Sequence, residues 1–245
     1  VPESLCREGR AMLDGVVEDF RRLAGVEVVT VADENLAGAF ANTAAACDWT
    51  LVIAPEFDDL LFGRSRAVLD AGGRLLGPLP SAIRLTADKL ATAELWQANG
   101  VCHPHTQRLA PGDFAAFPPP WVLKPRFGAG SQATFLIHDV GKEAATFHEA
   151  RREWPHGDFI VQQHIAGESA SVALLIGSKQ TIALMPARQH LSSDGRFRYE
   201  GGSLPLPRPW AERAIKLALQ AVQGIDGLQG YVGVDLVLGD DGRDH

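Results

Sequence analysis

The stretch that decides the fold is Val122-Leu123-Lys124-Pro125-Arg126-Phe127-Gly128-Ala129-Gly130-Ser131. Its first residues are typical of a β-strand that ends near Lys124, and a loop with two glycines and a serine follows directly. Small residues let backbone N–H groups approach phosphate oxygens, and a lysine adds a positive charge. The spacing is neither that of a P-loop, in which Gly-Lys-Ser/Thr opens a helix, nor that of a GxGxxG turn. The stretch is therefore either a phosphate-binding loop of another type or an ordinary β-hairpin loop with a solvated lysine.

Two further segments carry polar residues at positions where a ligand could lie. Residues 87–96 predict the start of an amphipathic helix, with Thr86 or Asp88 as its N-cap. Residues 160–169 predict a strand that ends on polar side chains before Gly167-Glu168, an arrangement suited to a purine edge and a ribose. Each segment also has an ordinary structural interpretation, as a surface helix or as a strand followed by a turn.

Helices and strands alternate in the first third of the chain, which indicates an α/β lobe with a parallel sheet. The periodicity predicts helices over 8–23, 35–46 and 60–71, and strands over 26–31, 50–54 and 74–76.

Gly77-Pro78-Leu79-Pro80 marks a domain boundary. Beyond it the pattern predicts helices over 88–99, 142–153 and 209–222, and strands over 121–124, 134–137, 159–163, 169–176, 181–188, 197–199 and 231–238. Strands grouped before a helix indicate α+β lobes built on antiparallel sheets. We expect three units: an α/β domain over 1–77, a small lobe over 78–165 and a C-terminal lobe over 166–245.

The composition is that of a globular protein, with 46% hydrophobic and 22% charged residues in a chain of 245. A formal net charge of -7 argues against a general affinity for nucleic acid or anionic membranes, although a local basic pocket for phosphate fits it. The three cysteines are odd in number and scattered, so neither a disulfide framework nor a zinc site is indicated. No apolar run approaches the roughly 18 residues of a membrane span and no signal peptide is visible, so we expect a cytoplasmic location.

Taken in order, the three segments resemble the nucleotide site of the ATP-grasp superfamily, and the resemblance runs from about Pro78 to the last residue. Residues 88–100 look very similar to the corresponding helix of D-alanine–D-alanine ligases, and the lobe before Gly77 occupies the position of the pre-ATP-grasp domain. The wider pattern resembles a subgroup that includes the tyramine–glutamate ligases of methanofuran biosynthesis. Pyrrolysine-type amine ligases are the group it resembles next most. That pattern consists of Glu8-Gly9-Arg10-Ala11-Met12-Leu13, Ile53-Ala54-Pro55-Glu56, Arg188-Gln189 and Gly230-Tyr231-Val232-Gly233-Val234-Asp235.

The resemblance implies roles for residues around the nucleotide. Lys89 and Lys124 would contact ATP phosphates, with Lys124 also near the adenine. Gly128, Gly130 and Ser131 would form the flexible loop over the phosphates. The adenine would be contacted by Gln162, Gln163 and the backbone of Ile165. The ribose contact would come from Glu168 or Ser169. Many relatives carry glutamate at the position of Gln162, which can still accept a hydrogen bond through its amide oxygen.

The resemblance also implies a magnesium ligand and a catalytic arginine. Asp235 matches the first magnesium carboxylate of the family. A carboxylate suits this role, because Mg²⁺ prefers oxygen ligands and usually bridges phosphates. Arg188 would stabilise the charge on a transferred phosphoryl group, with a surface arginine as the alternative. A further strand with a glutamate and an asparagine is expected after the Asp240-Asp241-Gly242 turn. We expect that this strand was cut off or is disordered, and a catalytically inactive protein is the alternative.

The implied activity is an ATP-dependent carboxylate–amine ligase that forms an amide through an acyl phosphate and uses ATP and Mg²⁺. Its partners would be a small carboxylate and an amine, such as glutamate and an aromatic amine like tyramine, with no nucleic acid and no membrane. Relatives are often dimers, so a homodimer stays an open expectation. Two alternatives belong to other classes: a non-catalytic nucleotide-binding module, and a phosphotransferase that passes phosphate to a final acceptor.

Overall fold

A computed structural model describes residues 3–31, 37–110 and 116–245. The N-terminal lobe contains helices α1 (Glu3–Arg21), α2 (Ala37–Ala46) and α3 (Leu60–Asp70), with a 3₁₀ turn at Phe57–Asp59 before α3. Its small core consists of Ala44, Val68 and Leu75. The helix predicted from Asn35 is described only from Ala37, because residues 35 and 36 lie outside the described ranges.

In the described residues of this lobe, the expected parallel sheet is reduced to one parallel bridge between Thr50 and Leu75. Residues 26–31 belong to no strand in the described part of the chain, so the strand predicted there is wrong. Val26 is 43% exposed and Val29 is 56% exposed. A β-branched run forms a strand only where it pairs with a neighbour and packs one face, and these residues do neither.

Two helices follow the boundary, α4 (Pro80–Ala87) and α5 (Lys89–Ala98). The first was not predicted from the sequence. Asp88 separates them and caps α5, because its side chain accepts hydrogen bonds from the backbone N–H groups of Leu90 and Ala91. The far end of α5 is fixed to the C-terminal lobe, where the indole N–H of Trp96 donates to the carbonyl of Ala221 at 2.8 Å.

The small-lobe sheet consists of β1 (Thr106–Leu109), β2 (Trp121–Pro125), β3 (Phe135–Ile137) and β4 (Phe159–Gln163). The strand order is β1-β4-β2-β3, and every pairing is antiparallel. Helix α6 (Glu143–Glu153) covers one face, against which Trp121 and Leu123 pack in a core with Phe147. Because strand residues alternate between faces, Val122 and Lys124 lie on the opposite face, away from α6.

The C-terminal sheet consists of β5 (Gly167–Ile176), β6 (Thr181–Ala183), β7 (Ala187–Leu191), β8 (Tyr199–Ser203) and β9 (Gly230–Gly239). Strand β5 is central, since β9 pairs along its whole length and β6 and β7 share its other edge. Helix α7 (Arg208–Val222) covers the face that carries Ala170, Val172 and Leu174. The expectation of antiparallel sheets in two α+β lobes is confirmed.

The structure divides the strand predicted over 181–188 into β6 and β7 at Met185-Pro186, because proline has no N–H for the ladder. The strand predicted over 197–199 begins only at Tyr199 and continues to Ser203. None of the helices in the described ranges combines the length and the apolar character that a bilayer span requires.

The β7–β8 loop, residues 192–198, joins the two lobes. The backbone N–H of Leu136 donates to the carbonyl of Gly195 at 2.8 Å, and Arg196 forms a two-pronged ion pair with Glu153. Lys124 of the small lobe and Asp235 of the C-terminal lobe influence each other's pKa, so the sheet faces that carry them lie close together, across a cleft between the two lobes.

Candidate nucleotide site

Lys124 lies on the small-lobe wall of the cleft, where its Nζ donates to Oε1 of Gln162 at 2.7 Å. Burial lowers the pKa of Lys124 to about 8, with Lys89 acting in the same direction and Asp235 opposing the shift. Two cations and one carboxylate are thus close enough to influence one another. A half-buried ammonium whose hydrogen-bond partner among the described residues is a neutral amide is suited to bind an anion.

Lys89 is the first residue of α5, and its ammonium lies beneath the glycine loop. Its Nζ donates to the carbonyl oxygen of Gly128 at 2.7 Å and lies 3.4 Å from that of Arg126. Burial lowers the pKa of Lys89, and the carboxylates of Glu56 and Asp88 offset part of that shift. The lysine therefore fixes the start of the loop and also adds positive charge to the cleft.

An ion pair that the sequence analysis did not assign fixes this arrangement. Nε and Nη2 of Arg126 donate to the two carboxylate oxygens of Asp88 at 2.7 and 2.5 Å. Burial raises the pKa of Asp88, but the hydrogen bonds from Arg126, Ala91 and Leu90 outweigh it and the pKa is lowered. The carboxylate that caps α5 thus also anchors the residue at which the loop begins.

The glycine loop has left-handed backbone at Gly130 (φ 67°) and at Ser131 (φ 58°). Glycine adopts this conformation without a steric penalty, which explains its use here. The hydroxyl of Ser131 donates to the carbonyl of Phe197 at 2.6 Å, so the loop is closed onto the β7–β8 loop.

Asp235 lies on the facing wall, on β9 opposite Ser171. Its Oδ1 accepts a hydrogen bond from Nε2 of Gln189 at 2.8 Å. Burial raises the pKa of Asp235, while Gln189 and Lys124 lower it. The side chain is reached by solvent although protein surrounds it, as expected for a carboxylate on the wall of a cleft.

A magnesium ion fits Asp235 as one oxygen ligand among several. In the described ranges, no three His, Cys, Asp or Glu side chains lie close enough together to hold a metal ion by themselves. Phosphate oxygens and water would have to complete the coordination, which is how Mg²⁺ is commonly bound beside nucleotides.

Glu56 is a charged group of this cluster that the sequence analysis did not select as a site residue. Burial raises its pKa, Lys89 lowers it, and Asp235 raises it further. The residue comes from the N-terminal lobe and is also reached by solvent. The available signal was its position just after the predicted strand 50–54, since ligands bind at the carboxyl ends of strands in α/β units.

Strand alternation separates the other predicted residues. Gln162 shares the cleft face with Lys124, whereas Gln163 lies opposite Trp121 and is directed away from that face. Ile165 lies half-buried in the irregular segment between β4 and β5. In β5, Ser169 has the same parity as Ser171 and so lies on the Asp235 side of the sheet.

The structure does not bring Arg188 and Glu168 into the cleft. Arg188 is paired with Ala170, whose side chain packs in the core under α7. Arg188 Nε lies 2.6 Å from Oε1 of Glu168, and the alignment makes this contact an ion pair and not a hydrogen bond. The guanidinium also lies 5.6 Å from the ring centre of Trp210 on α7. Glu168 and Ser169 were the two residues predicted for the ribose contact, and only Ser169 lies on the cleft side of the sheet.

Comparisons with known proteins identify two matching domain families and a shared fold. Residues 86–244 match the ATP-grasp domain family, and residues 12–83 match the pre ATP-grasp 3 domain family. The chain also has the fold of D-alanine–D-alanine ligase from Bacillus anthracis complexed with ATP. That likeness has a TM-score of 0.67 at 18% identity and covers 89% of this chain and 72% of that one.

Two curated relatives are tyramine–L-glutamate ligases. The one from Methanocaldococcus fervens is 26% identical over 91% of this chain and 67% of its own length. The one from Methanocaldococcus jannaschii is 29% identical over 80% of this chain and 53% of its own length. The chain thus spans about two thirds of one relative and about half of the other. The resemblance inferred from the sequence is confirmed.

Proposed function

This chain belongs to the ATP-grasp family, and from that premise we propose that it supplies the nucleotide site of an ADP-forming carboxylate–amine ligase. ATP-grasp ligases use ATP together with Mg²⁺. The proposed reaction has two steps. A carboxylate attacks the γ-phosphorus of ATP and gives an acyl phosphate and ADP, after which an amine attacks the acyl carbon and releases phosphate.

The observation that carries the proposal is the placement of opposite charges on facing walls of one cleft. Lys124 influences the pKa of Asp235 and is itself influenced by both Lys89 and Asp235. A triphosphate with a divalent cation has the complementary pattern, because its oxygens suit the lysines and its metal suits the carboxylate.

The side chains of the cleft position reactants and neutralise charge. Lys89 and Lys124 would hold the phosphate oxygens, and the ammonium groups would stabilise the charge that builds up as the γ-phosphoryl group moves. Gly128, Gly130 and Ser131 would cover the phosphates and exclude water, so that the acyl phosphate meets the amine before it meets water. Gln162 and the backbone near Ile165 would lie against the adenine, and Ser169 near the ribose.

Magnesium, when bound, would neutralise phosphate charge and polarise the reacting group. Asp235 is the residue of this chain that would hold it. The hydrogen bond from Gln189 leaves the second carboxylate oxygen of Asp235 for that purpose.

We assign the substrates by chemical class, as an amino acid carboxylate and an amine. Glutamate and an aromatic amine such as tyramine are the specific pair that we propose, on the strength of the two curated relatives. Glu56 is suited to attract an ammonium group, since its carboxylate lies among the charges of the cleft.

Hydroxylamine trapping tests this function. The full-length protein is incubated with ATP, Mg²⁺, hydroxylamine and a panel of carboxylic acids that includes glutamate. An ATP-dependent hydroxamate from one acid is the expected result, because hydroxylamine intercepts an acyl phosphate without the natural amine. Tight ATP binding with no hydroxamate from any acid would contradict the ligase assignment.

A further inference from the structure

Thr106 is a polar residue of the cleft face to which no role has been assigned. It is the first residue of β1 and lies directly opposite Gln162 of β4. Its hydroxyl donates to the carbonyl of Pro104 at 2.8 Å, and Nε2 of Gln162 lies 2.8 Å from the same hydroxyl oxygen. Together with the 2.7 Å bond from Lys124 to Gln162, these contacts form a continuous chain of hydrogen bonds.

The direction of each bond in this chain follows from the donors available. A hydroxyl has one hydrogen, and that of Thr106 is used on Pro104, so its oxygen can only accept from Gln162. Nε2 of Gln162 must therefore face Thr106, which turns Oε1 toward Lys124. In the flipped orientation, Nε2 of Gln162 would face the Lys124 ammonium, a donor against a donor. Oε1 would face the Thr106 oxygen, an acceptor against an acceptor. The flipped amide is therefore disfavoured at both ends.

A glutamine needs this support more than a glutamate would. The two oxygens of a carboxylate are equivalent, so a glutamate presents an acceptor to the lysine in either orientation. A glutamine presents an acceptor in only one. Because the amide of Gln162 is neutral, it does not cancel the positive charge of Lys124, which stays available to an anion.

We propose that Thr106 is a positioning residue that orients the amide of Gln162 and through it holds the ammonium of Lys124 at the nucleotide. The inference rests on the proposed function only in naming ATP as the ligand. It predicts that Thr106 contributes to ATP affinity without touching ATP.

The test measures the Kd of Mg·ATP by titration calorimetry on the full-length protein. Thr106→Val keeps the shape and the strand propensity but removes the hydroxyl, and we expect the Kd to rise about fivefold, the contribution of one ordinary hydrogen bond. Thr106→Ser restores the hydroxyl and should stay within about twofold of the original protein. Thr181→Val, on the distant strand β6, controls for the exchange itself.

A double-mutant cycle separates positioning from a general structural role. In a Gln162→Leu background the amide is gone, so Thr106→Val should have no further effect on the Kd. An equal loss in both backgrounds would overturn the inference, as would an unchanged Kd in the single variant. Failure of the original protein to bind Mg·ATP at all would instead overturn the proposed function, and with it the role assigned to Thr106.

Discussion

The small-lobe sheet and the C-terminal sheet are built alike, yet the faces they turn to the cleft carry opposite charges. Each is antiparallel, and each is covered by a helix on one side, α6 in the first and α7 in the second. On the side away from the covering helix, the first sheet carries Lys124, and the second carries Asp235. The charge of each wall is therefore set by which residues of a strand have the right parity.

Arg188 and Gln189 show how strongly parity acts within the C-terminal sheet. They are sequence neighbours on β7, but Gln189 donates to Asp235 in the cleft, while Arg188 pairs with Glu168 on the helix side. Arg188 shows that membership of a motif does not by itself place a charged residue in the cleft.

The largest effect is expected from Lys124→Ala. Removing the ammonium should raise the Kd for ATP and lower turnover by tenfold or more, a loss on the order of 1.4 kcal/mol, because a charged hydrogen-bond donor to phosphate is lost. Isothermal titration and steady-state kinetics measure the two quantities. Lys179→Ala, in the exposed turn before β6, is the matched control, and equal effects from both variants would refute the role of Lys124.

A smaller and reversible effect is expected from pH. Burial lowers the pKa of Lys124 to about 8, so the side chain is charged below that pH and loses its proton as the pH rises through it. ATP affinity should therefore be constant near pH 7 and fall above about pH 8, by at most about tenfold per pH unit. Lys124→Arg stays charged throughout this range and should lose the alkaline decline. A decline that persists in that variant would assign it to another group.

The smallest effect on the nucleotide is expected from Arg188→Leu. The ion pair with Glu168 and the contact with Trp210 are lost, so the free energy of unfolding should fall by about 1 kcal/mol. The Kd for ATP should stay within about twofold, because the side chain faces α7. Chemical denaturation and calorimetry measure the two. A large loss of affinity at unchanged stability would place Arg188 in the cleft after all.

Much of the fold could be predicted because its strands and helices have strong patterns. Helix α5 with its cap at Asp88, strand β4 and helix α7 lie within a residue or two of their predicted bounds. The N-terminal lobe could not be predicted as well. A β-branched run such as 26–31 has strand propensity, but only a partner makes it a strand, and local sequence carries no information about partners.

The candidate site could be predicted in part for a similar reason. Lys124 precedes a recognisable glycine loop, and Lys89 follows the N-cap Asp88 of a recognisable helix. The order of the motifs was therefore enough to select both lysines as candidates. The Arg126–Asp88 pair joins residues that lie 38 apart, and Thr106 acts through a cross-strand neighbour. Such contacts follow from register and parity, which become known only when the strands are paired.

The most direct test is a crystal structure of the full-length protein with Mg²⁺ and a non-hydrolysable ATP analogue. We predict that the triphosphate lies between the two sheets, with its oxygens in hydrogen-bond contact with Lys89 and Lys124 and its metal on Asp235. A nucleotide bound elsewhere, or with its phosphates on Arg188 at the helix side of the C-terminal sheet, would contradict the account.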